Sequence, residues 1–320
     1  MKPETLFPLL ACPCCKATLT AAGDRLACRN PGCTASPKEW PVVNDVPVLF
    51  DENRSIFSVQ SLALPPRLTR GPRKPSLYRL VQQVTPSLSR NFAAERNAER
   101  VAGILRGLSR RSRVLIIGCG DGSPAARVLA TESSIDVVNA DVRWTPVIDL
   151  ICDGQDLPFA DAQFDAVLLQ GVLEHVLHAS KVVTEVHRVL APGGLIYSEY
   201  PFLQPTHGGA YDFTRLTFTG HRMLWRDFEL LDAGACCGPG MALANCIQQF
   251  ARSLMPNRKL RALSDLVTNW AFWWLKYFDR FLANSPAALD GASAFYFLGR
   301  RSDTAASDQA VLASYRGAQA

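Results

Sequence analysis

The run Val114-Leu115-Ile116-Ile117-Gly118-Cys119-Gly120-Asp121-Gly122 constrains this chain more than any other stretch. Its four apolar residues read as a buried strand. The three alternate glycines that follow let the backbone turn sharply and approach a ligand closely before a helix begins. Short apolar runs recur along the chain with helical spacing between them. Strands are expected at Arg113–Ile117, Asp136–Ala140, Val147–Ile151, Phe164–Leu169, Gly194–Glu199, Phe228–Asp232 and Ala294–Leu298. Buried Val, Ile and Leu runs alternating with helices predict an α/β fold with a doubly wound, mostly parallel, seven-stranded sheet. The glycine turn alone does not choose an enzyme class, because nicotinamide enzymes use a related one. Here Ser123 and Pro124 occupy the start of the next helix, a poorer fit to the dehydrogenase pattern. Asp141 closes the second strand, where a carboxylate can accept both hydroxyls of a ribose in either class.

The cysteines point to a second unit. Of ten in 320 residues, five (Cys12, Cys14, Cys15, Cys28, Cys33) crowd the N-terminal stretch, the clustering of a metal site rather than of a spread disulfide framework. Cys12 and Cys15 form one C-x2-C pair, and Cys28 and Cys33 form a C-x4-C pair. Four thiolates on two tight turns can close a tetrahedral zinc shell. Cys14 is surplus, though it could substitute for a neighbour, and iron in a rubredoxin-like site is chemically open. A unit this small buries little apolar surface, so metal affinity is expected to supply its folding energy. Met1 to Leu10 holds no apolar run, so a reducing cytoplasm is the expected home. The net charge of +5 is mild and does not by itself imply nucleic acid.

The expected organisation is a zinc-binding unit over 1–50, a proline-bearing linker over 51–75, a catalytic domain over 76–301 and a disordered polar tail over 302–320. Helical patterning starts at Leu77 and runs to Leu108, and a helical insert spans about 240–290. Within it, Leu266–Leu282 reads as an amphipathic helix packed on its own domain, with interfacial membrane contact as the alternative. Lys276, Asp279 and Arg280 keep it from crossing a bilayer.

An ordered series follows the glycine turn: Asp153-Gly154-Gln155-Asp156-Leu157-Pro158-Phe159, Phe164-Asp165-Ala166-Val167, Leu173-Glu174-His175, and Arg188-Val189-Leu190-Ala191-Pro192-Gly193-Gly194. Over roughly 110–235 this resembles the class I S-adenosylmethionine-dependent methyltransferases, in the branch that holds the quinone-biosynthesis enzymes. The resemblance implies a Rossmann-like sheet. It puts Gly118, Gly120 and Gly122 at the methionine part of the cofactor, Asp141 at the ribose, Asp153 at the adenine amine, and Gln170 beneath the sulfonium. A helix cap is the alternative for Asp153, and the adenine role is favoured because it sits at the carboxyl edge, where ligands bind. Six residues between Asp141 and Ile148 leave no room for the usual helix, so a more open adenine pocket is expected. Leu9-Leu10-Ala11-Cys12-Pro13-Cys14-Cys15-Lys16 with Trp40-Pro41-Val42-Val43-Asn44-Asp45-Val46-Pro47-Val48-Leu49 resembles the zinc ribbon of the small protein that activates several methyltransferases.

After the fifth strand the chain reads His207-Gly208-Gly209-Ala210-Tyr211-Asp212-Phe213-Thr214-Arg215, a loop at the carboxyl edge of the sheet, where cleft residues lie. His207 is a candidate general base, with Tyr211, Asp212 and Arg215 to orient an acceptor. Asp212 and Arg215 read equally as a brace, and Glu174 and His175 read as structural. The Tyr-Asp-Phe-x-Arg-x-Thr run resembles methyltransferases associated with bacterial polysaccharide and glycolipid assembly, which implies a sugar, lipid-linked or other small-molecule acceptor. RNA methylation is the alternative, suggested by twelve Lys or Arg against Glu95 and Glu99 between Arg67 and Arg113. A non-catalytic scaffold and a nicotinamide dehydrogenase come after it.

Overall fold

The computed structural model describes residues 3–35, 38–57 and 84–319. The expected linker beyond residue 57 and the start of the expected helix at Leu77 lie outside them.

Strand β5 (Ser112–Ile117) lies inside the sheet because its apolar run is buried on both faces. Val114 and Ile116 join one core and Leu115 and Ile117 the other, the alternation a strand imposes. It pairs in parallel with β6 (Ile135–Asp141) on one side and β8 (Phe164–Gln170) on the other. β7 (Leu150–Cys152) adds to β6, and β9 (Leu190–Pro201) adds to β8. β11 (Ala294–Arg301) runs antiparallel between β9 and β10 (Phe228–Cys237). After β5 the chain builds outward through β6 and β7, then jumps back to β8 on the far side. The strand order therefore reverses between β5 and β8, where ligands bind in such sheets. The helix Ala179–Val189 covers one face through Val182, Val186 and Val189. The helices Ala94–Arg106 and Pro124–Ala130 cover the other through Val101, Leu105 and Leu129. Each such side chain, buried, contributes about 1.5–3 kcal/mol.

Every expected segment holds a strand, but the sheet has eleven strands rather than seven. The four extra belong to the N-terminal unit: β1 (Leu19–Ala22), β2 (Arg25–Cys28), β3 (Glu39–Val43) and β4 (Val46–Leu49). Asn44 and Asp45, at φ 51° and 65°, make the two-residue turn that pairs β3 with β4. β4 then joins β7 in parallel, Val48 opposite Ile151 and Leu49 opposite Cys152. This is possible because no helix forms between β6 and β7, which leaves the β7 edge free to be paired. The unit also shares its apolar core with the rest of the chain. Leu10, Leu26, Trp40 and Leu49 pack in one cluster with Leu150 and Phe159, and residue 50 is no packing boundary.

Two other expectations change. Leu266–Leu282 is not one helix: the helix Arg258–Phe272 ends, and Leu275–Phe278 and Asp279–Leu282 follow as separate turns. The break turns Asp279 inward, where its carboxylate accepts from the backbone N–H of Gly238 (3.1 Å), Gly240 (2.7 Å) and Met241 (3.0 Å) at the start of the helix Pro239–Ser253. Those are N–H groups a helix start leaves unpaired. The tail expected to lack order instead forms the helix Asp308–Ala313, capped by Ser307 and anchored by the fully buried Val311. Among the described residues, no helix is long and apolar enough to cross a membrane.

Candidate functional site

The glycine turn leaves β5 and enters the helix Pro124–Ala130, whose first turn is capped by Ser123 through Ala126 N–H (3.1 Å). Gly118, Gly120 and Gly122 all have positive φ (68°, 52° and 99°). Gly118 is doubly constrained, since a Cβ there would lie 2.3 Å from a methyl of Val172 in the loop after β8. No described atom lies within 4 Å of a Cβ built at Gly120 or Gly122, so the turn stays open above them. Asp141, buried at the end of β6, reaches across: Oδ2 accepts from Gly120 N–H (2.9 Å) and Oδ1 from Arg143 N–H (3.0 Å). Cys119, inside the turn, is no reactive thiol, because burial pushes it up to about 12.

Asp153 sits at the end of β7 as the cap of a short turn. Its Oδ1 accepts from Gln155 N–H (2.9 Å) and its Oδ2 from the Ser55 hydroxyl (2.6 Å). The capping role is therefore realised. The chain just past β4 also reaches the loop after β9, where Phe57 stacks on Tyr211 at 5.8 Å between ring centres. Gln170 ends β8, beside Glu199 of β9, and its Oε1 is buried without a hydrogen-bond partner among the described residues. The Trp144 ring N–H, shortly after Asp141, is likewise buried and unpartnered. Orphaned polar atoms at this edge, the open glycine turn and the Asp141 carboxylate fit an adenosyl cofactor with an amino-acid tail.

The acceptor-side residues converge. Glu174 and His175 follow Gln170, and the loop after β9 brings His207 to them. His175 Nε2 and His207 Nε2 are 3.0 Å apart, with Glu174 Oε1 3.8 and 3.7 Å from them. The three ligating atoms lie close enough to chelate a cation or to share a proton. The hydrogen bonds describe the proton. His175 Nδ1 is 2.7 Å from the Tyr211 carbonyl, which only accepts, so Nδ1 carries a hydrogen. His207 Nδ1 likewise faces only acceptors, the Pro205 carbonyl (3.3 Å) and the Asp212 carboxylate (3.6 Å), so it too carries a hydrogen. The basic atoms are then the two Nε2 atoms, which hold one proton between them when hydrogen-bonded. The Glu174 carboxylate holds the His207 pKa above the usual 6.5 against the opposing effect of burial. Gly208 must be glycine here, because a Cβ would sit 2.6 Å from His175 Nδ1.

Asp212 and Arg215 form the brace. The Asp212 carboxylate, almost wholly buried, takes both guanidinium N–H groups of Arg215 and the His207 backbone N–H (2.8 Å), and Arg215 also donates to the Gln204 carbonyl (3.1 Å). The Arg215 contact keeps Asp212 well below the usual carboxylate range. Tyr211 is half exposed and contributes its carbonyl and its stacked ring. Glu199 was not singled out from sequence. It is buried next to Gln170, accepts from Asn91 Nδ2 (2.8 Å) and the Tyr197 hydroxyl, and burial raises its pKa. The available signal was a lone carboxylate in an apolar strand at the carboxyl edge.

Away from this site, the sulfurs of Cys12, Cys15, Cys28 and Cys33 all lie within 4.8 Å of one another, with Cys12–Cys33 and Cys15–Cys28 each 3.6 Å apart. Cys14 points elsewhere, to the Thr34 hydroxyl (3.4 Å) and Arg54 (3.8 Å). The set offers four sulfur ligands and no more.

Residues 115–198 match the family described as a methyltransferase domain. Over this segment the chain is similar to methyltransferase domains. Similar proteins include 27-O-demethylrifamycin SV methyltransferase of Amycolatopsis mediterranei, 31% identical over 37% of this chain and 48% of that protein. Demethylmenaquinone methyltransferase of Renibacterium salmoninarum is 36% identical over 30% of this chain and 44% of that protein. The chain thus spans under half the length of these relatives. Among solved structures, a Burkholderia thailandensis 1,6-didemethyltoxoflavin-N1-methyltransferase is 18% identical, covering 66% of this chain and 79% of that one, with a TM-score of 0.38.

Proposed function

We propose that this chain transfers a methyl group from S-adenosylmethionine to a hydroxyl of a sugar, lipid-linked or other small-molecule acceptor, and that a zinc ion held by Cys12, Cys15, Cys28 and Cys33 is structural. One observation carries the reading. The glycine turn after β5, with Asp141 from the end of β6, lies beside the Glu174–His175–His207 cluster, which gathers past the ends of β8 and β9, and Val172 lies over Gly118 where the two meet. S-adenosylmethionine, when bound, supplies an electrophilic methyl on a sulfonium whose departing thioether is stable.

The residues would divide the work as follows. Asp141 grips the ribose, the turn at Gly118–Gly122 follows the methionine part, and Gln170 offers its free carbonyl oxygen at the sheet edge. Alignment supplies much of the acceleration in such a displacement. His207 Nε2 takes the proton of the acceptor hydroxyl as the oxygen attacks. The resulting imidazolium is stabilised by Glu174 and Asp212, while His175 fixes the ring through Nε2. The zinc, with all four positions filled by protein, scaffolds the edge that β4 builds onto the catalytic sheet. The quinone-biosynthesis branch remains the favoured relation, supported by the demethylmenaquinone match, and a reducing cytoplasm the favoured setting.

RNA is disfavoured as acceptor by where most of the described arginines of 84–113 go. Arg100, Arg106, Arg110 and Arg111 pair with Asp232, Glu132, Asp165 and Asp136, and Arg90 lies over Phe92. The remainder of that basic stretch, 67–83, falls outside the described residues. The deciding experiment supplies labelled cofactor and fractionated glycan, lipid, RNA and small-molecule pools to wild type and His207→Ala. Label entering the lipid or glycan pool with wild type alone supports the reading. Label entering RNA, or no dependence on His207, refutes it.

A further inference from the structure

We infer that the helical insert is a membrane-docking surface that seats on an anionic lipid bilayer, lying in the interface without crossing it. The helix Arg258–Phe272 buries only Thr268 among its residues. Its exposed Leu260, Leu263, Val267 and Trp270, with Trp274 beyond its end, recur at spacings of three and four and so share one narrow stripe. The preceding helix, Pro239–Ser253, buries Met241, Ala242 and Ala244 and turns Leu243, Phe250 and Leu254 outward at spacings of seven and four. Phe278 and Phe281 extend the apolar surface, Phe281 at 79% exposure. Scattered exposed leucines would be ordinary. Two consecutive helices with apolar stripes, and these five exposed aromatics on and just beyond them, are not.

Charge chooses the occupant. Arg258, Lys259, Arg261 and Arg280 are exposed around these stripes. The three acids of the insert's helices are already engaged: Asp265 pairs with Arg252 at 3.4 Å, Asp279 is turned inward, and Asp290 accepts from the Tyr315 hydroxyl and the Ala318 N–H. A second copy of the chain would bring the same positive charges together. An anionic headgroup layer instead neutralises them while Trp and Phe enter the acyl boundary. The surface is firmly attached, through Asp279 and through Lys276, which donates to the Ser87 carbonyl. That carbonyl lies four residues before Asn91, the partner of Glu199 at the catalytic edge. A chain seated this way would present its cleft beside the lipid surface.

The test uses the full metal-loaded chain without cofactor or acceptor, so its outcome is independent of the methyl-transfer reading. The protein is sedimented with phosphatidylcholine vesicles, with and without phosphatidylglycerol. Binding is expected only with phosphatidylglycerol, weakening as salt rises. The Trp270→Ala/Trp274→Ala/Phe281→Ala variant should bind at least about tenfold more weakly. Arg258→Glu/Lys259→Glu/Arg261→Glu should lose the anionic preference. All these residues are exposed, and an unchanged melting temperature in each variant verifies the fold. No binding to either vesicle, equal binding by the variants, or a dimer in solution that the aromatic variant dissolves would overturn the inference.

Discussion

The Ser55 hydroxyl donates to Asp153 Oδ2 at 2.6 Å, so a residue just past the cysteine-bearing unit helps hold the carboxylate at the end of β7. Asp153 thereby does two jobs at once, with Oδ1 capping the turn at Gln155. The two roles separate by substitution. Asp153→Asn keeps an accepting oxygen for the cap and should fold near wild type. Asp153→Ala leaves the Gln155 N–H and the Ser55 hydroxyl without an acceptor and should cost about 1–3 kcal/mol in denaturant unfolding. If Asp153 also serves adenine, Asp153→Asn should still weaken cofactor binding in calorimetry. Unchanged affinity would make the residue a cap only.

Methyl transfer should rise with pH through an apparent pKa above 6.5, because the base is neutral His207 and Glu174 holds its proton on. Glu174→Gln removes the foremost cause of that shift, so the rise should move to lower pH. The stability effect has the matching sign. A raised histidine pKa stabilises the fold while the ring is charged and is lost as pH rises through the folded value. The gap in melting temperature between wild type and Glu174→Gln should therefore narrow toward alkaline pH. His207→Ala should lower turnover by about 10²–10⁴-fold and retain cofactor affinity. A pH profile unmoved by Glu174→Gln would sink the assignment.

Gly118→Ala tests the join between the two halves of the site. Both the positive φ and the 2.3 Å approach to Val172 oppose a side chain there. The substitution should cost more than about 2 kcal/mol and abolish cofactor binding. Adding Val172→Ala should relieve the contact and leave about 1 kcal/mol of backbone strain, recovering part of the stability in urea titration. No recovery would mean that the Val172 loop does not rest on the turn.

Periodicity exposed the strands because the runs Val114–Ile117 of β5 and Ala166–Leu169 of β8 are apolar and buried on both faces, while β6 showed only the shorter Val137–Val138 pair. The two cysteine pairs were legible from spacing, and the sulfurs do converge, with Cys14 outside the set. What sequence hid was pairing between distant segments. Nothing in Val46-Pro47-Val48-Leu49 announces that it completes the sheet beside Ile151, since one buried strand resembles another until its neighbour is known. Glu174 and His175 looked structural because the thirty-two-position separation of His175 from His207 is closed only by the loop after β9. The tail misled for a similar reason: a short polar stretch can still anchor through one residue, Val311.

The loop from His207 to Arg215 gives a further test, of brace against chemistry. Arg215→Ala would leave Asp212, nearly buried, without its guanidinium partner and would loosen its hold on the His207 N–H. Turnover should fall while cofactor affinity stays near wild type, and the unfolding free energy should drop by about 1–3 kcal/mol. Arg215→Lys retains the charge but not the paired N–H geometry, and should recover little activity. Full activity in Arg215→Lys would show that charge alone suffices and that the loop needs no fixed shape.

Zinc supplies the last prediction. Protein purified without added metal should carry about one zinc per chain, lost in Cys28→Ser and kept in Cys14→Ser. Because the cysteine-bearing unit shares its core and its β4–β7 pairing with the catalytic sheet, the damage should not stay local. Chelation should lower the melting temperature of the whole chain in a single transition and weaken cofactor binding through Ser55 and Asp153. Two separate transitions, with cofactor affinity intact after chelation, would show that the unit and the sheet are energetically independent despite their shared strands.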